Sequence, residues 1–295
     1  MNAMTSTPSI MAIDNVSDTA RWVAVYRAME SARPDAIFRD PYADRLAGEQ
    51  GRAIVDGMKR GRSMAWAMIV RTAVMDELIM ERVTQHGVDT VLNLSAGLDA
   101  RAWRLPLPAS LRWIDVDLPA MTEYKVSRMG DAVPVCRYEA IAADLTNAAV
   151  REALFSQIGG AAGKMLVISE GLLIYLTRLE VESLGRALHG MRSARWWISD
   201  IASPMRLEWM RKSWGKSVEA GNAPFKFAPE DSAAFFGALG WRGIRFLSQL
   251  EAARRLKREM NMMWLWRFIG RFMSAARREK ARRMSAILLL ERDDA

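Results

Sequence analysis

Four acidic side chains follow short apolar runs at regular intervals in the middle of this 295-residue chain. The first lies in NLSAGLDAR (93–101), where the small residues Ser95, Ala96 and Gly97 precede Asp99. The second is Asp117, closing RWIDVD, about 20 residues beyond that turn. The third is Asp144 in AADLT, and the fourth is Glu170 in LVISEGLLIYL. A small, glycine-containing turn lets backbone approach a ligand closely. A carboxylate placed as Asp117 is can accept hydrogen bonds from both hydroxyls of a ribose. Each carboxylate alone reads as well as a helix cap or a solvated loop residue. Together, at successive strand ends, they point to one nucleoside site. The turn lacks the G-x-G-x-x-G spacing of a dinucleotide site, and the chain has no G-x-x-x-x-G-K-[ST] phosphate loop. A nucleoside without a pyrophosphate, such as S-adenosyl-L-methionine, fits better.

Those carboxylates need a scaffold, and the pattern around them supplies one. Strands are predicted at 90–95, 111–117, 138–144, 164–170 and 194–200, with helices around 119–129, 147–158 and 177–191. Alternation of this kind predicts an α/β fold: a Rossmann-like, mostly parallel sheet with helices on both faces. Ligands bind beyond the carboxyl ends of such strands. Further strands are predicted in FFGALGWRGIRFLSQ and SAILLLER. Residues 1–86 read as a loose polar tail and a helical cap, and 87–295 as the core, all in one structural domain. Asp18 is the expected N-cap of the first cap helix, which Pro34 stops. A long helical stretch over 52–86 carries Met58, Met64, Met68, Met75 and Met80, either as core or as a flexible wall for an apolar substrate.

Composition narrows the chemistry. No apolar run reaches the ~18 to 20 residues of a membrane span, and the start lacks the pattern of a signal peptide, so a cytoplasmic protein is expected. One cysteine, Cys136, and two histidines, His86 and His189, leave no expected metal site and make Ser-His-Asp catalysis a poor fit. The net charge of +8 is local: residues 251–283 hold eleven Lys/Arg against three Glu. Met260, Met262, Met263, Trp264, Trp266, Phe268, Ile269 and Phe272 are interleaved with them. This basic helical insertion is expected to cover the core as a solvated face. Membrane contact through it is an alternative but not the favoured one, and nucleic acid is not the expected partner.

The chain resembles the leucine carboxyl methyltransferase-like group of class I S-adenosylmethionine-dependent methyltransferases, in its bacterial O-methyltransferase branch. The resemblance extends from about Asp18 to Arg292, and the stretches that carry it are, in order, TARWVAVYRAMES with FRDPYADRLAG, IVRTAVMDELI, VLNLSAGLDARAWRL, WIDVDLPAMTEYK, AADLT and LVISEGLLIYL. The resemblance implies S-adenosyl-L-methionine as cofactor and roles for individual residues. Arg71 would grip the cofactor carboxylate, with Arg21 as a second basic partner. Ser95, Ala96 and Gly97 would form the turn under the methionine moiety. Asp117 would take the ribose, and Asp144 with Leu145 would flank the adenine. Glu170 would lie near the cofactor amino group and the substrate entrance, with Tyr175 lining the acceptor pocket. Ser95 departs from the family's G-A-G-L-D-T-R, in which glycine stands first.

The expected reaction is in-line methyl transfer to a carboxylate or hydroxyl oxygen of a small-molecule or peptide acceptor. A carboxylate needs no general base, whereas a hydroxyl would need one. The shortage of histidine leans toward the carboxylate, with Glu170 or Tyr175 as the weaker base otherwise available. The competing reading is a non-catalytic or nucleic-acid-directed protein that uses the same fold. The stretches 58–80, 209–214 and 260–272 are the candidate lids.

Overall fold

Strands buried on both faces carry near-continuous apolar runs, and those runs mark the centre of the sheet. In the computed structural model, which describes residues 16–58, 61–220, 224–260, 262, 263, 265, 268 and 272–294, they are β1 (Thr90–Leu94), β2 (Arg112–Asp117) and β4 (Met165–Ser169). β3 (Arg137–Ala142) forms one edge. β5 (Ala194–Ala202), β6 (Trp241–Ser248) and β7 (Ser285–Arg292) complete seven strands in the order β3-β2-β1-β4-β5-β7-β6. β1 to β5 are parallel to one another, and β7 runs antiparallel between β5 and β6.

Alternating strand residues divide the core in two. Val91, Leu166, Ile168, Trp196 and Ile198 pack on one face with α1 (Val16–Ser31), α2 (Ala43–Gly57) and α3 (Ala65–His86). Leu92, Leu94, Val167 and Trp197 pack on the other. That second face meets α6 (Ala148–Gly160), α7 (Arg178–Gly190) and α9 (Ser232–Gly237). Between them in the chain come α4 (Arg101–Arg104), α5 (Pro119–Met129) and α8 (Pro204–Ala220). α10 (Gln249–Arg255) and α11 (Ala275–Arg282) lie between β6 and β7. None of the described helices is long and apolar enough to cross a membrane.

Three local expectations need correction. FFGALG is not strand: Asp231 Oδ1 accepts from the Ala233 and Ala234 backbone N–H groups and starts α9 there. The helix expected over 52–86 is broken, since α2 ends at Gly57 and α3 begins at Ala65. Asp18 is not an N-cap, because α1 already includes Val16. It instead accepts from Gln50 Nε2 at 2.9 Å, tying α1 to α2.

The basic segment is partly spent on internal ion pairs. Arg258 is buried and bonds Glu30 of α1 through Nε and Nη2, with contacts of 2.8–3.1 Å. Arg255 reaches Glu77 of α3 at 2.6 Å, and Arg282 and Arg283 reach Glu279. The tail over 1–15, Trp264, Trp266, Ile269 and the Trp214 side chain lie outside the described residues.

Candidate active site

Beyond the carboxyl ends of β1 to β5 lies a cavity of about 510 Å³. Sequential strand ends supply its floor, and α1, α3 and the start of α8 supply its walls. It gathers Arg71, Ser95, Ala96, Gly97, Asp117, Asp144, Leu145, Glu170 and Tyr175, nine of the ten residues singled out in the sequence. The tenth, Arg21, does not line it. Its guanidinium stacks 3.8 Å over the Tyr124 ring and lies 3.5 Å from Asp18. Ala20 and Val23 face the cavity from the same helix. The 100° turn per residue puts Arg21 on the flank toward α5.

The turn after β1 is shaped by backbone conformation. Ser95 and Gly97 both have positive φ, at 49° and 50°. A Cβ on Gly97 would stand 3.1 Å from the Ala20 Cβ, so α1 closes down on this turn. Asp117 locks it from the neighbouring strand: Oδ2 accepts from Gly97 N at 2.6 Å, and Oδ1 accepts from Leu118 N at 2.7 Å. Burial raises the Asp117 pKa, although these two bonds oppose it. Ser95 has no such freedom as glycine in the left-handed region. Replacing it with glycine relieves ~1–2 kcal/mol of backbone strain, against ~0.5–1 kcal/mol of added chain entropy in the unfolded state. Ser95→Gly is therefore expected to raise stability by up to about 1.5 kcal/mol. A urea midpoint at or below that of the parent would refute this.

Asp144 is exposed at the edge beside β3. Its Oδ1 accepts from the Thr146 N–H and hydroxyl, which lowers its pKa. At β4, Ser169 ends the strand and Gly171 turns it with φ 65°. A 3-10 turn over Leu173–Tyr175 follows, and Thr177 with Glu180 forms the capping box that starts α7. This sequence of turns carries Glu170 and Tyr175 to the cavity. The Tyr175 ring lies 5.6 Å from that of Phe225, and burial raises its pKa, with a hydrogen bond from Thr19 opposing.

Glu170 belongs to a buried ionic network. Arg71 of α3 donates to it from Nε at 2.9 Å and to Asp200 from Nη1 at 3.0 Å. Arg101 donates from Nη1 to Glu170 and to Asp99, both at 2.7 Å, and from Nε to Asp76 at 2.6 Å. Arg104 forks onto Asp76. Burial would push the Glu170 carboxyl up, but Arg101 and Arg71 outweigh it and hold it below the ordinary range. Asp99 is likewise desolvated, yet the field of Arg101 and its neighbours leaves it well below the carboxylate range. Asp200, Arg101 and Asp76 were not assigned from sequence. Asp200 ends ARWWISD, so its signal was the same strand-end carboxylate.

Three of the five spaced methionines, Met58, Met64 and Met68, line the cavity, while Met75 is core and Met80 packs against it. His86 and His189 are elsewhere, stacked edgewise on Trp196 and Trp241.

The sequence profile of the leucine carboxyl methyltransferase family matches residues 20–189. A Streptomyces coelicolor protein, provisionally named an S-adenosyl-L-methionine-dependent methyltransferase, is 38% identical over 180 residues, covering 56% of this chain and 62% of that one. The chain thus spans less than two thirds of that relative. A Frankia alni protein with the same provisional name is 30% identical over 251 residues, 80% of this chain and 85% of its own. Among solved structures, a DUF574 family protein from Streptomyces avermitilis superposes with TM-score 0.60 at 12% identity, over 93% of this chain and 97% of that one. A provisionally named methyltransferase from Thermobifida fusca gives 0.57 at 13%, over 90% and 97%. At these identities the structural likeness speaks for the fold alone, a methyltransferase-type α/β sheet. The family rests on the sequence: the chain belongs to the leucine carboxyl methyltransferase family of S-adenosyl-L-methionine-dependent methyltransferases.

Proposed function

We propose that this protein methylates a carboxylate oxygen of a small-molecule or peptide acceptor. S-adenosyl-L-methionine is the cofactor of the family, and the cavity residues fit it. Arg101 Nη2 is buried with no hydrogen-bond partner, a donor that an anionic ligand group would satisfy. Arg71 offers a second cation beside it. Gly97 leaves the close approach that a ligand under the turn requires. Asp117 has lone pairs left for ribose hydroxyls, and Asp144 Oδ2 is free for the adenine amine. Glu170 and Asp200 would hold Arg71 in place, and Tyr175 would line the acceptor end.

The observation that carries the carboxylate assignment is the state of the titratable groups in the cavity. No histidine lines it. Glu170 is held ionised between two arginines, which makes it a weak base, and Tyr175 is held as the neutral phenol by burial. Asp117, which burial raises, sits at the opposite, nucleoside end. The other carboxylates of the lining are engaged as well: Asp99 by Arg101, Asp200 by Arg71 and the Gly171 N–H, Glu180 by Thr177 and Asp144 by Thr146. A hydroxyl acceptor would need one of these occupied or neutral groups to take its proton. A carboxylate, with an ordinary pKa of about 4, arrives ionised. When bound, the cofactor supplies a methyl group on a positively charged sulfur, and the acceptor oxygen's lone pair displaces that sulfur with no proton transferred. The chain's own task is then alignment and exclusion of water.

Incubation with methyl-labelled cofactor and a panel of carboxylic and hydroxylated acids tests this. The labelled product is expected to be an ester, releasing labelled methanol in mild alkali. An alkali-stable labelled product would be an ether and would overturn the assignment.

A further inference from the structure

Most cations lining the cavity already have partners. Arg71 and Arg101 are bound to carboxylates, as described above. Arg27 donates to Asp40 and to the Leu98 carbonyl. Arg151 donates to the Leu145 carbonyl and the Ser183 hydroxyl. Lys226 lies in the field of Glu180.

Arg206 is different. It lines the same cavity, yet its guanidinium has no ion pair and no hydrogen-bond acceptor among the described residues. Its one contact of note is the Trp209 ring, 4.3 Å from the guanidinium carbon to the centroid. Burial alone pushes its pKa down to about 10. Desolvating a cation without a counter-ion is costly, so the arrangement is poised for an anion from outside the chain.

The sheet says where that anion belongs. In the order β3-β2-β1-β4-β5, the nucleoside residue Asp144 follows β3, Asp117 closes β2, and the Gly97 turn follows β1. Glu170 follows β4. Arg206 follows β5, in the first turn of α8, at the opposite end of this row from Asp144. Apolar side chains share the cavity: Met64, Met68, Met210 and Phe225.

We propose that Arg206 anchors the acceptor's carboxylate in a subsite on the β5 side of the cavity, with an apolar acceptor body against the methionine and phenylalanine wall. The proposal rests on the carboxyl-methylation reading above and deepens it to a substrate class: monocarboxylic acids with a hydrocarbon body. An arginine fork can hold one carboxylate oxygen while the other keeps a lone pair directed at the methyl group. Esterification removes the negative charge, so the neutral product loses the ion pair and the subsite favours substrate over product.

The test uses the full chain loaded with S-adenosyl-L-homocysteine, which cannot react. Octanoate, tetradecanoate and phenylacetate, each beside its primary amide, are titrated into the parent, Arg206→Gln and Arg206→Lys by calorimetry. The parent is expected to prefer at least one acid to its amide. Arg206→Gln is expected to bind that acid about ten- to a hundredfold more weakly and to lose the preference, and Arg206→Lys to keep part of it. Affinity for S-adenosyl-L-homocysteine is expected to be equal in all three proteins, which also shows that they are folded. A parent with no preference for any acid, or an Arg206→Gln variant that keeps it, overturns the subsite. Failure of all three proteins to bind S-adenosyl-L-homocysteine, with a cooperative thermal unfolding transition showing each to be folded, would instead overturn the methyltransferase reading, and the subsite with it.

Discussion

Arg101→Met is expected to destabilise the protein by about 3–5 kcal/mol, a large part of the ~5–15 kcal/mol that holds a typical domain folded. The side chain is only 2% exposed and joins Asp76, Asp99 and Glu170. Methionine fills much of the same space but returns no charge, so three buried carboxylates lose their shared cation. Arg104 still holds Asp76, and Arg71 still holds Glu170, so Asp99 is left worst off. The pH dependence follows from the direction of the shifts. Glu170 and Asp99 both have depressed folded pKa values. The unfolded chain therefore takes up protons first as pH falls. The stabilisation from the pair is full above the ordinary carboxylate range and is lost as pH drops from about 4 through the folded values. In Arg101→Met the penalty is expected to be largest at neutral pH and to shrink near pH 4, where protonation removes the unpaired charges. Urea unfolding followed by tryptophan fluorescence at both pH values measures this. A loss under about 1 kcal/mol at neutral pH would show that the network does not depend on its central arginine.

The central strands are legible in the sequence because their apolar runs are continuous, and SAILLLER spans β7 in full. Asp117, Asp144 and Glu170 are legible because each ends such a run. What the sequence hides is physical in origin. Arg101 sits in GLDARAW, which reads locally as a polar turn; its burial depends on Asp76 in α3 and Glu170 after β4, and no local window contains them. Arg206 was invisible for the opposite reason, since its importance lies in the partners it lacks. Arg21 lies off the cavity by side-chain direction alone, as its immediate neighbour Ala20 does face it. FFGALG reads as strand in sequence, since aromatic residues suit a pleated surface. The stronger signal is Asp231, just upstream, which caps the helix by accepting from the Ala233 and Ala234 N–H groups.

Asp117→Ala is expected to weaken S-adenosyl-L-methionine binding by at least about a hundredfold, measured by calorimetry. Two losses combine. A carboxylate that accepts from both ribose hydroxyls contributes two charge-assisted bonds, each worth about 1.5–3 kcal/mol. The same carboxylate also holds the cofactor turn, through the 2.6 Å bond from Gly97 N. Alanine removes both. Asp117→Asn separates them, because its amide oxygen can still accept from Gly97 while the negative charge is gone. An intermediate loss in Asp117→Asn would divide the effect between turn and ribose. An asparagine variant as weak as the alanine one would assign it to the charge, and one as tight as the parent would assign it to the turn. The thermal midpoint serves as the control, since a turn that collapses into misfolding would lower it as well. Parent-like affinity in folded Asp117→Ala would place the nucleoside away from the β2 edge, and the succession from β3 to β5 on which the acceptor subsite depends would fall with it.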